Sequence, residues 1–171
     1  MTMNINAHII VLDSLKNLLK NLTNESFSKK NDLLFGASIG EHFRHIIEFY
    51  LCVMNQDTQE VINYDLRKRD RILETKVTEG ILVIDRILTK LQKLNEQDNI
   101  PIKIETCLDE NQSNQGVSSS LFRELMYCMD HCIHHQSLIK IGLLEQKLSH
   151  MVDTNFGVAF STQQYRNQCV S

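Results

Sequence analysis

Glycine and proline are scarce in this sequence. Six glycines and one proline make up about 4% of the 171 residues, whereas the two together average about 12% in globular proteins. Folds made of many short strands need both residues in their turns, so the shortage argues against an all-β protein. It also excludes collagen-like and proline-rich chains. Long, uninterrupted helices are the expectation that remains.

An excess of positive charge is missing too. Lysine and arginine number 18 against 21 aspartates and glutamates, which gives a formal net charge of −3. Nucleic-acid-binding domains usually carry a basic face, so we expect no direct contact with nucleic acid. The densest basic run holds Arg67, Lys68, Arg69 and Arg71. We interpret it as a solvated helix entry, with contact to an anion or a substrate carboxylate as the alternative.

Signals for membranes and export are absent as well. No stretch of about 18 apolar residues indicates a membrane span, and residues 1–8 lack the basic and apolar regions of a signal peptide. The five cysteines form no Cys-x-x-Cys pair, and an odd number of thiols suits a reducing compartment. We therefore expect a cytoplasmic protein with free thiols and no membrane association.

Four segments carry apolar residues at the spacing of an amphipathic helix. These segments are 6–22, 38–55, 73–94 and 121–147. The second is apolar around most of its circumference, which predicts a central, buried helix. At its start, Ser38 and Glu41 have the spacing of a capping box.

The spacing of apolar residues changes between the third and fourth predicted helices. Ile100, Ile102 and Ile104 alternate with other residue types, a period of two that is typical of a strand. Turn-forming residues follow at 109–116, so we predict a short β-hairpin over 99–120. The segment 21–32 is predicted as a connection and 57–71 as a loop, with a short turn of helix in the second as the alternative.

Together these segments predict an all-α fold, a four-helix bundle with a short β-hairpin insertion. A single domain covers 1–171, and its tail from 151 onward is expected to pack on the helices. The first connection is long enough for a crossover, which is compatible with an up-down-down-up order.

Histidines are paired by position on two of these helices. His42 and His45 are three residues apart on the second helix, while His131 and His135 are four apart on the fourth. Two imidazoles at i and i+4 leave the same helix face and can chelate a transition metal. Polar surface histidines are the alternative. A rival set on the fourth helix holds Cys128, His131, Cys132 and His135, but Cys132 is about 100° from His131 around the helix and is expected to point into the core.

Two motifs here resemble a known family. Residues 38–47, SIGEHFRHII, are similar to the second-helix motif of the DinB/YfiT-like family, and residues 130–136, DHCIHHQ, to its fourth-helix His-x-x-His-His motif. The resemblance covers nearly the whole chain. It implies a four-helix bundle that holds a divalent metal through His45, His131 and His135. His42 falls one turn before a ligand position and is expected to contact and orient a ligand, with an alternative ligand or a polar surface residue as the other interpretations.

The resemblance also implies a range of functions. One is a metal-dependent enzyme, a thiol S-transferase or a hydrolase of small molecules, that uses metal-activated water or thiol. Glu124 and Glu41 are the candidate catalytic residues, as general bases or as groups that orient an imidazole; exposed helix carboxylates are the alternative. Zinc or nickel is the expected metal, with iron, manganese or copper also compatible with imidazole. The other function is a non-catalytic structural or stress-related module, and a homodimer is expected in either case.

Overall fold

The computed structural model describes residues 4–55, 61–107 and 115–169. This part of the chain is mostly helical, at 66% with 3-10 turns included, and also holds a small three-stranded mixed sheet. The helices are α1 (Ile5–Asn21), α2 (Asn24–Ser28), α3 (Ile39–Met54), α4 (Val77–Leu91), α5 (Leu121–Glu145) and α6 (Phe160–Cys169). The strands are β1 (Val61–Ile62), β2 (Pro101–Thr106) and β3 (Gln115–Ser120).

The four long helices α1, α3, α4 and α5 are those that the apolar spacing predicts, within four residues at each end. They contact one another in a closed ring of neighbours, since α3 packs on α5, α5 on α1, α1 on α4 and α4 on α3. Their inward faces supply most of the buried apolar core. Among the described helices, none combines the length and apolarity needed to cross a membrane.

The predicted connections contain short elements of their own. The segment 21–32 contains the short helix α2, which begins with a capping box between Thr23 and Ser26. The segment 57–71 contains β1, and a 3-10 turn at Arg71–Glu74 precedes α4. Elements of two to five residues are too short for a hydrophobic period to reveal.

The predicted hairpin is confirmed, but the sheet is larger. β2 pairs antiparallel with β3, with Ile102 opposite Ser119. β1 pairs in parallel with the other edge of β2, and Ile62 lies beside Ile104. The predicted turn at 109–116 lies mostly outside the described residues, and 115–116 already belong to β3.

Helix α3 begins where its sequence predicts, because the capping box forms. The Ser38 hydroxyl oxygen accepts a hydrogen bond from the Glu41 amide at 3.1 Å, and the Glu41 carboxylate accepts one from the Ser38 amide at 2.7 Å. Gly40, the second residue of α3, lies against the backbone of Glu74, and a Cβ there would be 2.0 Å from the Glu74 carbonyl oxygen. Gly40 thus lets the 3-10 turn pack directly on α3.

Gly40→Ala is predicted to destabilise the protein. Alanine is favoured over glycine inside a helix by about 1 kcal/mol, but here its methyl group would push against backbone atoms that have no room to move. We expect a net loss of about 2 kcal/mol of unfolding free energy, as for other overpacked sites. Chemical denaturation measures it.

Gly36→Asn is the matched control for Gly40→Ala. Gly36 has φ of 82° and open space around its Cβ position, and asparagine tolerates this left-handed conformation. The control should therefore lower the free energy of unfolding by less than Gly40→Ala does. Equal or greater stability of Gly40→Ala than of the wild type would contradict the packing argument.

His8 gives the core a predicted pH dependence. It is buried beside Tyr50, with its Nδ1 3.1 Å from the Tyr50 hydroxyl oxygen, and burial lowers its pKa to about 4. In the unfolded chain the pKa of histidine is about 6.5. Above that pH His8 is neutral in both states, and its burial carries no penalty for losing a proton. Stability is lost as the pH falls from 6.5 through 4, by up to about 3 kcal/mol.

Unfolding free energies between pH 7 and 4 would measure this effect against His8→Gln, which carries no titrating group at this position. The variant should lose less stability than the wild type over this range. Parallel pH profiles for the two proteins would contradict the assignment to His8.

Candidate metal centre

The three histidines that the resemblance selects meet between two helices. His45 comes from α3, and His131 and His135 come from α5. Their ring centroids are 4.6 to 4.9 Å apart, so the rings form a nearly equilateral triangle. One nitrogen from each ring lies within 4.8 Å of the others, an arrangement that could hold a metal ion.

The nitrogen separations suit a transition metal. His45 Nε2 and His131 Nε2 are 2.8 Å apart, close enough for one ring to donate a hydrogen bond to the other. Two ligands of a tetrahedral zinc ion with bonds of about 2.1 Å would be about 3.4 Å apart. This separation is longer than the 2.8 Å between these two nitrogens and shorter than 4.8 Å, the distance within which the three ligand nitrogens all lie. The residues present therefore fit such an ion.

The packing of α3 on α5 explains why these rings are together. His131 and His135 share one face of α5 because they are one helical turn apart. α3 lies along that face, and His45 is the residue of α3 that stands opposite the pair. None of the three is fully buried, so the triangle lies at the margin of the core.

His42 contacts the triangle as expected. Its Nδ1 lies 3.0 Å from Nδ1 of His135, so one of these rings donates a hydrogen bond to the other. Such a bond holds the His135 ring in place and leaves its Nε2 available. His134 is exposed and sets its ring edge-on to His135, with 5.2 Å between the ring centroids.

Burial keeps these imidazoles neutral. It lowers the pKa of His45 to about 4 and that of His135 to about 3, and the positive charge of neighbouring histidines lowers both further. The pKa of His131 is lowered mainly by burial as well. A neutral imidazole has a nitrogen lone pair free for a metal. At pH 7 the triangle is therefore in the protonation state that ligation requires.

The basic run divides into two kinds of side chain. Lys68, Arg69 and Arg71 are exposed, as predicted. Arg67 instead turns inward, with its Nε 3.6 Å from a Glu48 carboxylate oxygen and its guanidinium 5.8 Å from the Phe49 ring centroid. Its charge contributes to the lowered pKa of the nearby histidines.

Glu41 and Glu124 are both occupied elsewhere. The Glu41 carboxylate accepts hydrogen bonds from the Ser38 amide and, at 2.6 Å, from Lys30. Glu124 is only 6% exposed, which differs from the exposed carboxylate considered as an alternative. Its two oxygens accept hydrogen bonds from the hydroxyls of Tyr64 at 2.7 Å and Ser119 at 2.6 Å. In the described part of the chain, neither carboxylate is hydrogen-bonded to an imidazole.

The cysteines of α5 lie in the core. Cys128 and Cys132 are 1% and 0% exposed, and burial raises the pKa of both thiols. Cys132 faces inward, as its helical position predicts. Within residues 4–55, 61–107 and 115–169, the one metal-holding group found is the three-histidine triangle.

An aromatic wall beside the triangle has no counterpart among the sequence motifs. The Phe49 ring stacks on His131, with centroids 4.4 Å apart, and the Tyr64 ring stacks on Phe49 at 4.7 Å. Tyr127 lies 5.6 Å from His131. Phe49 is one turn beyond His45 on α3, a spacing that places it near the site, but Tyr64 comes from the segment after β1. Its position depends on how that segment folds back.

Comparison with known proteins gives one partial similarity. No family model matches the chain, and no solved structure matches it. The chain is 37% identical over 111 residues to a protein of Rhizopus delemar named FK506-binding protein 5, a match that covers 61% of this chain. The chain spans only about a quarter of that protein, since the match covers 27% of its length.

Tyr64→Phe is predicted to destabilise the protein, because it removes the hydroxyl that donates to buried Glu124. A buried acceptor without its donor costs about 1–3 kcal/mol. Urea unfolding at pH 7 measures the loss. Tyr165→Phe is the matched control, because Tyr165 of α6 is 66% exposed. It should leave the free energy of unfolding unchanged. Equal stability of the two variants would contradict the structural role of the Tyr64–Glu124 hydrogen bond.

Proposed function

We propose that this chain is a DinB/YfiT-like protein that binds a divalent transition metal through His45, His131 and His135. The observation that carries the proposal is the triangle of three neutral imidazoles between α3 and α5. Zinc or nickel is the proposed metal, because imidazole nitrogen suits both; iron, manganese and copper are alternatives.

The family assignment is part of the proposal. The closed ring of contacts among α1, α3, α4 and α5 supports a four-helix bundle, for which we propose the up-down-down-up order. The hairpin between α4 and α5 and the burial of Phe156 in the tail also agree with the resemblance. The single domain spanning 1–171 belongs to the same proposal.

We favour a metal-dependent enzyme of small molecules, a thiol S-transferase or a hydrolase, over a structural module. Three protein ligands leave coordination positions open, so a bound metal would supply Lewis-acid chemistry there. The chain's own residues would prepare the site, since His42 orients His135 and the rings of Phe49 and Tyr127 cover His131. A cleft lined by Tyr127 gives a small molecule a place beside the triangle.

Glu124 and Glu41 have different places in this proposal. Glu41 serves to cap α3. Glu124 lies on α5 beside the cleft and holds Tyr64 through a hydrogen bond. Of the two, Glu124 is therefore the candidate for a catalytic or positioning role. The similarity to FK506-binding protein 5 covers too little of that protein to suggest a second function.

A homodimer in the cytoplasm is the proposed state of the protein. Its support is a group of exposed apolar side chains where the 3-10 turn Asp32–Leu34 packs on the end of α5. Leu33, Phe35 and Leu144 are 57%, 102% and 61% exposed, and a dimer interface would remove such surface from water.

Metal titration of the purified protein tests the centre. After chelator treatment, isothermal titration with zinc and with nickel should show one ion per chain. His45→Ala, His131→Ala and His135→Ala should each weaken binding by more than a hundredfold. His42→Ala should weaken it about 10–100-fold, the range for residues that orient a ligand.

His150→Ala, which removes an exposed histidine outside the triangle, is the control and should bind like the wild type. Circular dichroism would verify that every variant stays helical. Absence of stoichiometric metal binding by the wild type would overturn the proposal. Full binding by a folded triangle variant would overturn the role of that histidine.

A further inference from the structure

A cleft of about 620 Å³ opens between the sheet and α5. Its walls include Ile104 of β2, Val117 and Ser118 of β3, and Arg123 and Tyr127 of α5. Side chains from three separate elements thus converge on one concave space, and small-molecule sites are typically of this kind.

The cleft adjoins the histidine triangle. Tyr127 lines the cleft, and its ring lies 5.6 Å from that of His131. Tyr64 also lines the cleft, and its ring stacks on Phe49, which in turn stacks on His131. The Tyr127 ring on one side, and the stacked rings of Tyr64 and Phe49 on the other, therefore separate the cleft from the triangle.

The wall of the cleft is mixed: hydroxyl-bearing residues line it beside apolar ones, and two large apolar or aromatic side chains are open to solvent. Val117 is 50% exposed and Tyr127 is 37% exposed, although each is large and apolar or aromatic. These side chains would gain free energy if a ligand covered them. They suit a flat or branched apolar body of modest size.

Among the described residues that line the cleft, Arg123 is the accessible charge. It is exposed, its guanidinium lies 5.9 Å from the Tyr127 ring centroid, and in the described part of the chain it forms no ion pair with a carboxylate. The carboxylate of Glu124 also lines the cleft. However, it is 6% exposed and both of its oxygens already accept hydrogen bonds. A planar guanidinium pairs best with a carboxylate or a similar anion.

We propose that this cleft binds small molecules in which a carboxylate is attached to an aromatic or branched apolar body. The carboxylate meets Arg123, and the body packs on Tyr127 and Val117. Such molecules are held next to the proposed metal centre, with the Tyr127 ring between them and His131; this last point rests on the proposed function.

Benzoate is a suitable probe, and benzamide is its neutral counterpart of the same shape. Titration of metal-free protein, followed by nuclear magnetic resonance, should show tighter binding of benzoate than of benzamide. Bound benzoate should shift the ring signals of Tyr127 and His131. Arg123→Gln should weaken benzoate binding about tenfold or more, the loss expected for a charge-assisted hydrogen bond, and should leave benzamide binding unchanged.

Arg86→Gln is the matched control, because Arg86 is an exposed arginine of α4 that lines a different cleft. It should bind both probes like the wild type. Equal affinity for the two probes, or an Arg123→Gln variant that binds benzoate normally, would overturn the proposal. Both variants replace exposed side chains, so loss of folding should not obscure the comparison.

Zinc titration of the same samples separates this proposal from the function on which it rests. Zinc binding without benzoate binding would overturn the cleft assignment and leave the metal centre standing. Benzoate binding without zinc binding would support the cleft and overturn the proposed function. Benzoate binding that leaves the His131 ring signals unshifted would overturn the link between cleft and centre.

Discussion

The contact between α3 and α5 is the constraint on which the candidate site depends. Each helix contributes part of the histidine triangle, and only their relative register brings His45 opposite His131 and His135. The start of α3 is set by the capping box at Ser38, and the missing side chain of Gly40 allows the 3-10 turn to pack behind it. Local backbone chemistry thus sets the position of a long-range cluster.

Burial gives this cluster its chemical character. Imidazole rings removed from water resist protonation, and each neighbouring ring would repel a second positive charge. The pKa values of His45 and His135 therefore fall to about 4 and about 3, and the rings keep free nitrogen lone pairs at neutral pH. The same desolvation acts on His8 in the core, where the neutral ring is hydrogen-bonded to Tyr50 and no other histidine is near enough to complete a triangle.

The two histidine pairs of the site were predictable from helical spacing, and the resemblance selected His45 as the third ligand. The i,i+4 pair on α5 and the histidine next to a capping signal on α3 are local patterns, and both helices form where their apolar residues recur. Glu124 shows where such reasoning ends. An exposed carboxylate was the alternative for it, but the side chain is buried and accepts hydrogen bonds from Tyr64 and Ser119, which lie outside α5. Helical periodicity carries no information about such partners.

The sequence by itself determined the long helices, the hairpin and the faces on which the histidines lie, because hydrophobic period and capping act over a few residues. Tertiary structure alone decided which histidines meet and that β1 completes the sheet. It also decided that Phe49, Tyr64 and Tyr127 form a wall between the triangle and a cleft. These contacts join residues far apart in the chain, and the free energy that selects them comes from packing and burial of the whole core.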